Sequence, residues 1–90
     1  LLFGLSAAAW GEVVLGDGGE IVTQNFDRYP IVRMRSVPQI EIHLIESNEP
    51  PTGVGEVAVP SVAPVLANAI AALTGTRIRT LPFSNTIKIA

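Results

Sequence analysis

The run Pro50-Pro51-Thr52-Gly53-Val54-Gly55-Glu56 sets a rigid turn and two glycines directly in front of the clearest helical pattern in this chain. The prolines fix φ, and Gly53 and Gly55 allow positive φ or a close approach of backbone to a ligand. Glu56 is thereby delivered to the start of a helix, where a carboxylate can act on something bound beside the turn. The competing reading is structural, because acidic residues are favoured near helix N-termini by the macrodipole.

Ninety residues suffice for one small domain. Such a domain hides only roughly 60–65% of its chain surface, which leaves little interior for a large cofactor. Only 16% of the residues are charged and the formal net charge is −2, so there is no basic field for nucleic acid. The absence of cysteine excludes a disulfide framework, a thiolate metal site and an iron–sulfur cluster held by this segment.

The opening Leu1-Leu2-Phe3-Gly4-Leu5-Ser6-Ala7-Ala8-Ala9-Trp10 is apolar from its first residue, with no cap in front of it. It reads as the last turns of a helix in a longer protein. The rival, the tail of a signal peptide cleaved at Ala7-Ala8-Ala9, lacks a basic n-region, and the run is too short to span a membrane. At the other end, Lys88-Ile89-Ala90 follows a loose polar stretch and reads as a C-terminus.

Residues 12–15 and 20–23 predict two strands of a hairpin, joined by Gly16-Asp17-Gly18-Gly19 as turn chemistry rather than a phosphate loop. From Asn25 to Pro38 the pattern is irregular, with Ile31-Val32-Arg33-Met34 strand-like between prolines. Residues 39–46 alternate Ile40, Ile42 and Leu44 against Glu41 and His43, as a strand with one buried face does. Then comes the helix. Ser61 is placed as its N-cap, Pro64 fits its first turn, Val62, Leu66, Ala69, Ile70 and Leu73 recur at helical spacing, and Gly75 stops it. Its many alanines let it approach other backbone closely. Residues 77–82 read as a short extended exit segment. The expected class is α+β: a helix end, a hairpin, a further strand and one alanine-rich helix.

Taken together, Gly53-Val54-Gly55-Glu56, the alanine-rich helix and Thr74-Gly75-Thr76-Arg77-Ile78-Arg79-Thr80-Leu81-Pro82 resemble the C-terminal end of the molybdopterin-binding large subunit in the xanthine dehydrogenase and aldehyde oxidoreductase family. The nearest type is the isoquinoline 1-oxidoreductase β-subunit. Asn25-Phe26-Asp27-Arg28-Tyr29-Pro30, Arg33-Met34 and Glu41-Ile42-His43 fit that type too, so the resemblance covers nearly the whole chain. It implies that residues 1–90 are the C-terminal segment of a larger molybdopterin-binding domain.

The resemblance also implies a function. The family's catalytic base aligns with Glu56, and Gly53, Val54 and Gly55 line the cofactor. The implied reaction oxidises an aldehyde or an N-heteroaromatic substrate with water as oxygen source. The implied cofactor is molybdopterin, in its cytosine dinucleotide form, with molybdenum held by the pterin rather than by protein ligands. Implied partners are the remainder of the large subunit and a small [2Fe-2S] subunit. Two departures stand out: Val57-Ala58-Val59 follows Glu56 where the family often has small residues or proline, and the family's glycine-rich cofactor loops and substrate-pocket residues have no counterpart here. The segment is therefore not expected to be active alone.

Other residues favour structural roles. His43 has no partner histidine, and Trp10, Phe26 and Tyr29 read as packing groups. Arg33 and Arg35 fit a phosphate, a partner subunit or a solvated face equally well, and Arg77 and Arg79 lean toward structural ion pairs. Gly53-Val54-Gly55 fails the dinucleotide fingerprint, because Ala58 stands at its third glycine, and fails the P-loop for want of lysine. Two rivals to an oxidoreductase segment remain at this point: an independent small α+β interaction module without catalytic activity, and a secreted or periplasmic domain with a processed N-terminus.

Overall fold

Helix α1 spans Leu2–Ala9, and nothing caps it through a side chain at Leu1. Its Gly4, Ala8 and Ala9 are buried, which puts a stripe of small residues against the rest of the chain. Glycine inside a helix costs roughly 0.5–1 kcal/mol relative to alanine. Packing explains why Gly4 is there: a Cβ at Gly4 would lie 2.9 Å from both the Val59 carbonyl oxygen and Val62 Cγ2. The helix carrying those atoms can approach only because position 4 is bare.

The computed structural model describes residues 1–89. After α1 the chain turns through Asp17–Gly19, a short 3-10 turn with Gly18 and Gly19 at φ of 73° and 83°, as expected of turn glycines. The predicted strands on either side do not form. One antiparallel bridge joins Leu15 to Ile21, supported by Gly16 N–H donating to the Glu20 carbonyl at 2.7 Å and Val22 N–H to that of Val14 at 2.9 Å. The turn reverses the chain, but nothing extends the ladder, and a two-stranded ribbon without a packed face is marginal.

A single-turn helix α2, Asn25–Arg28, follows, and then a 3-10 turn at Met34–Ser36 where a strand-like segment was expected. The turn is closed by Ser36: its N–H donates to the Arg33 carbonyl at 2.8 Å, and its hydroxyl accepts from Arg33 N–H at 3.2 Å. A serine three residues after Arg33 thus offers the backbone a local partner, which competes with strand formation. Residues 39–46 form no strand either, and all are exposed.

Helix α3 runs Val59–Thr74. Ser61 is not its N-cap: Ala58 occupies that position, and the first turn is closed by Val59 N–H donating to the Glu56 carbonyl at 3.0 Å. Pro60 sits in the first turn, where its missing N–H has no cost, whereas Pro64 lies inside the helix and deprives the Pro60 carbonyl of its usual donor. Gly75 ends the helix in the left-handed region at φ 76°, its N–H on the Ala71 carbonyl at 2.8 Å.

α1 lies on α3, and Phe83, in a final 3-10 turn at Phe83–Asn85, closes the end of the pair. Ala8, Ile78 and Phe83 form the core cluster, against which Leu66, Ala67 and Ile70 of α3 pack. Two long-range hydrogen bonds tie the remainder down: Val32 N–H to Ser6 Oγ at 2.9 Å and Asn85 Nδ2 to Glu12 Oε2 at 3.2 Å.

The core is too small for the chain it serves. The radius of gyration is 16.2 Å, against about 12 Å for a compact domain of this length. The accessible surface is 7622 Å², against about 5,000 Å² for a folded monomer of this mass. The excess is the size of a substantial protein–protein interface.

Candidate functional site

Glu56 stands just before α3, outside its first turn, which contains no acidic residue. Its main-chain carbonyl receives Val59 N–H, but its carboxylate makes no hydrogen bond or ion pair among the described residues. The side chain does not cap the helix, so the structural reason for an acid at this place is unfilled. It is an exposed, unpartnered carboxylate on a turn.

Gly53 and Gly55 differ from the expectation in one respect: neither has positive φ. Nor would an added Cβ at either meet anything within 4 Å. Within this chain, then, neither backbone conformation nor packing demands glycine at 53 or 55. Val54 between them is exposed.

Beside the turn lies an open groove of about 290 Å³ between α1 and α3. Its lining includes Ala58, two residues after Glu56, with Leu1, Leu5, Val62, Val65 and Leu66, and Ser61 supplies the only side-chain hydroxyl. The sequence reading missed this groove. Its signal was available in the apolar spacing of Val62, Leu66 and Ala69, once α1 is known to lie across them.

The remaining candidates do not converge on Glu56. His43 Nε2 meets Glu41 Oε2 at 3.8 Å on an exposed segment. The Arg33 guanidinium reaches the Phe26 carbonyl at 3.5 Å. Arg35 and Lys88 line a second cleft of about 470 Å³, shared with Trp10 and Phe83. Trp10 is half-buried, and the Tyr29 hydroxyl lies 3.1 Å from where a Cβ on Gly11 would stand, so both serve as packing groups. Phe26 does not pack; it is 72% exposed. Among the described residues, no group of three or more His, Cys, Asp or Glu could hold a metal ion, and no helix is long and apolar enough to cross a membrane.

No family model matches the chain, and no solved structure matches it significantly. Among curated proteins, it is 37% identical over 82 residues to the beta chain of isoquinoline 1-oxidoreductase from Brevundimonas diminuta, a match covering 91% of this chain and 10% of the relative. It is 35% identical over 82 residues to the membrane-bound aldehyde dehydrogenase [pyrroloquinoline-quinone] of Gluconacetobacter polyoxogenes, covering 84% of this chain and 11% of that protein. The chain is a partial match to the molybdopterin-binding large-subunit family. A third relative of this large-subunit segment is a component of the nicotinate dehydrogenase of Pseudomonas putida, 37% identical over 75 residues, with 81% of the segment and 6% of the relative covered. The segment thus spans about a tenth or less of the length of the relatives it matches. All three are named as oxidoreductases or dehydrogenases.

Proposed function

We propose that the chain is a C-terminal part of the large subunit of a molybdenum hydroxylase, with Glu56 as catalytic base and Gly53, Val54 and Gly55 lining the cofactor. The observation that carries this reading is the free carboxylate of Glu56, exposed and without a partner at the mouth of an otherwise apolar groove. A general base needs to be ionised at working pH and free to meet the proton it abstracts. An acid already committed to a cap or an ion pair meets neither condition as well.

The residues present fit a bulky cofactor. Nothing lies within 4 Å of a Cβ at Gly53 or Gly55, so a group from outside the chain can press against this backbone. Molybdopterin in its cytosine dinucleotide form, with molybdenum held by the pterin, would supply the two-electron acceptor for the reaction. Glu56 would take the proton from the water-derived nucleophile onto a carboxylate oxygen as that nucleophile attacks an electron-poor carbon, and would then release it to solvent. Bare backbone at 53–55 would keep side chains from separating the base from the reacting centre.

The substrate class is an aldehyde or an N-heteroaromatic compound, in keeping with the names of the relatives. The rest of the large subunit and a small [2Fe-2S] subunit are the partners. One relative carries pyrroloquinoline quinone in its name, so molybdenum and pterin content are the first measurements to make on the full-length protein. Turnover of the full-length enzyme bearing Glu56→Gln tests the role of the base.

A further inference from the structure

Residues 39–46 make no backbone hydrogen bond among the described residues, neither with one another nor with any helix or turn. Their apolar side chains are just as unused: Ile42 is 79% exposed and Leu44 93%. On the other face of the segment, Glu41 Oε2 and His43 Nε2 meet at 3.8 Å, as neighbours two apart on an extended backbone do. Ile45 alone breaks the alternation, at its end. A row of free backbone donors and acceptors beside a one-sided apolar stripe is the pattern a β-sheet edge completes, since the ladder takes the backbone and the sheet's packed face takes the alternate side chains. A groove for a helix would satisfy only the side chains.

From this we infer that residues 39–46 form a β-strand paired to the edge of a sheet supplied by the rest of the same large subunit, with Ile40, Ile42 and Leu44 turned to that subunit's core and Glu41 and His43 to its open side. The occupant is taken from the same polypeptide because about nine-tenths of the relatives' length lies outside this chain. The inference rests on the reading of the chain as a large-subunit segment, and it gives the segment a task within that reading. Pro50 and Pro51 follow the strand almost at once and lead directly to Gly53 and Glu56, so pairing the strand fixes the approach of the base.

Residue-resolved hydrogen exchange on the full-length subunit tests it. The expected result is slow exchange at least at every second amide across residues 40–46, unchanged on dilution and on removal of the small subunit. Fast exchange throughout overturns the inference, as does protection that appears only at high concentration or only with the small subunit, because those results assign the edge to a second copy or to the partner. Two variants read the faces. Ile42→Asp should speed exchange across the segment at least ten-fold and His43→Asp should leave it unchanged; equal effects of both overturn the facing. The outcome is separable from the catalytic reading: a protected strand in an enzyme whose Glu56→Gln form turns over normally would leave the strand standing and remove the base, and the reverse pair of results would do the opposite.

Discussion

Gly4 and Val62 mark the closest approach of α1 to α3: a Cβ at Gly4 would stand 2.9 Å from Val62 Cγ2, and equally close to the Val59 carbonyl oxygen. The methyl can turn away, but the carbonyl belongs to the first turn of α3 and cannot. Gly4→Ala should therefore destabilise the pair although alanine is the better helix former, and Gly4→Val should cost about 1–3 kcal/mol as overpacking does. Hydrogen exchange in α1 and α3 of the full-length subunit reports the loss, and unchanged protection in Gly4→Val would contradict the packing.

Ser6 is a second joint. Its hydroxyl donates to the Leu2 carbonyl at 3.0 Å and accepts Val32 N–H at 2.9 Å, holding the irregular segment after α2 onto α1. Ser6→Ala leaves that N–H without its acceptor at a half-buried place, at a cost of about 1 kcal/mol. The Val32 amide should then exchange about five-fold faster, with α3 amides unaffected. No change at Val32 would show the bond to be dispensable.

Much of the helical framework was legible in the sequence, and the reasons are local. α1 follows from an uninterrupted apolar, alanine-rich run, and α3 from Val62, Leu66 and Ile70 with Gly75 as its stop. The start of α3 was misplaced because Ser61 has the chemistry of a cap, while Pro60 one residue earlier is tolerated in a first turn. The strands were not recoverable in the same way. A strand's hydrogen bonds go to another strand, so residues 12–15, 20–23 and 39–46 carry the pattern but in this chain lack the partner that would realise it. Glu56 was found through its turn, whereas the groove beside it depends on α1 crossing α3, which no local pattern encodes.

The chain expressed by itself should be neither active nor a well-behaved monomer. Its surface exceeds that of a folded monomer of its mass by about half. Large exposed residues such as Leu44 and Leu73 invite association. Sedimentation and hydrogen exchange measure this. A soluble monomer with a sharp cooperative melt would contradict the account and favour an independent interaction module.

Gly55→Val in the full-length enzyme probes the cofactor-lining role. Nothing in this chain meets a Cβ at that position, so the substitution should leave α1 and α3 unchanged. Any loss of bound molybdenum and pterin then reports a neighbour outside the chain. Full loading with unchanged kinetics would make Gly55 an ordinary loop residue.

The most direct test is turnover by the full-length enzyme carrying Glu56→Gln, measured beside its molybdenum content. Glutamine keeps the size and hydrogen-bonding capacity of the side chain and removes only the base. Turnover is predicted to fall by at least the roughly 10²–10⁴-fold that general-base catalysis contributes, with metal content near normal. Near-normal turnover in a fully metallated variant would contradict the assignment of Glu56.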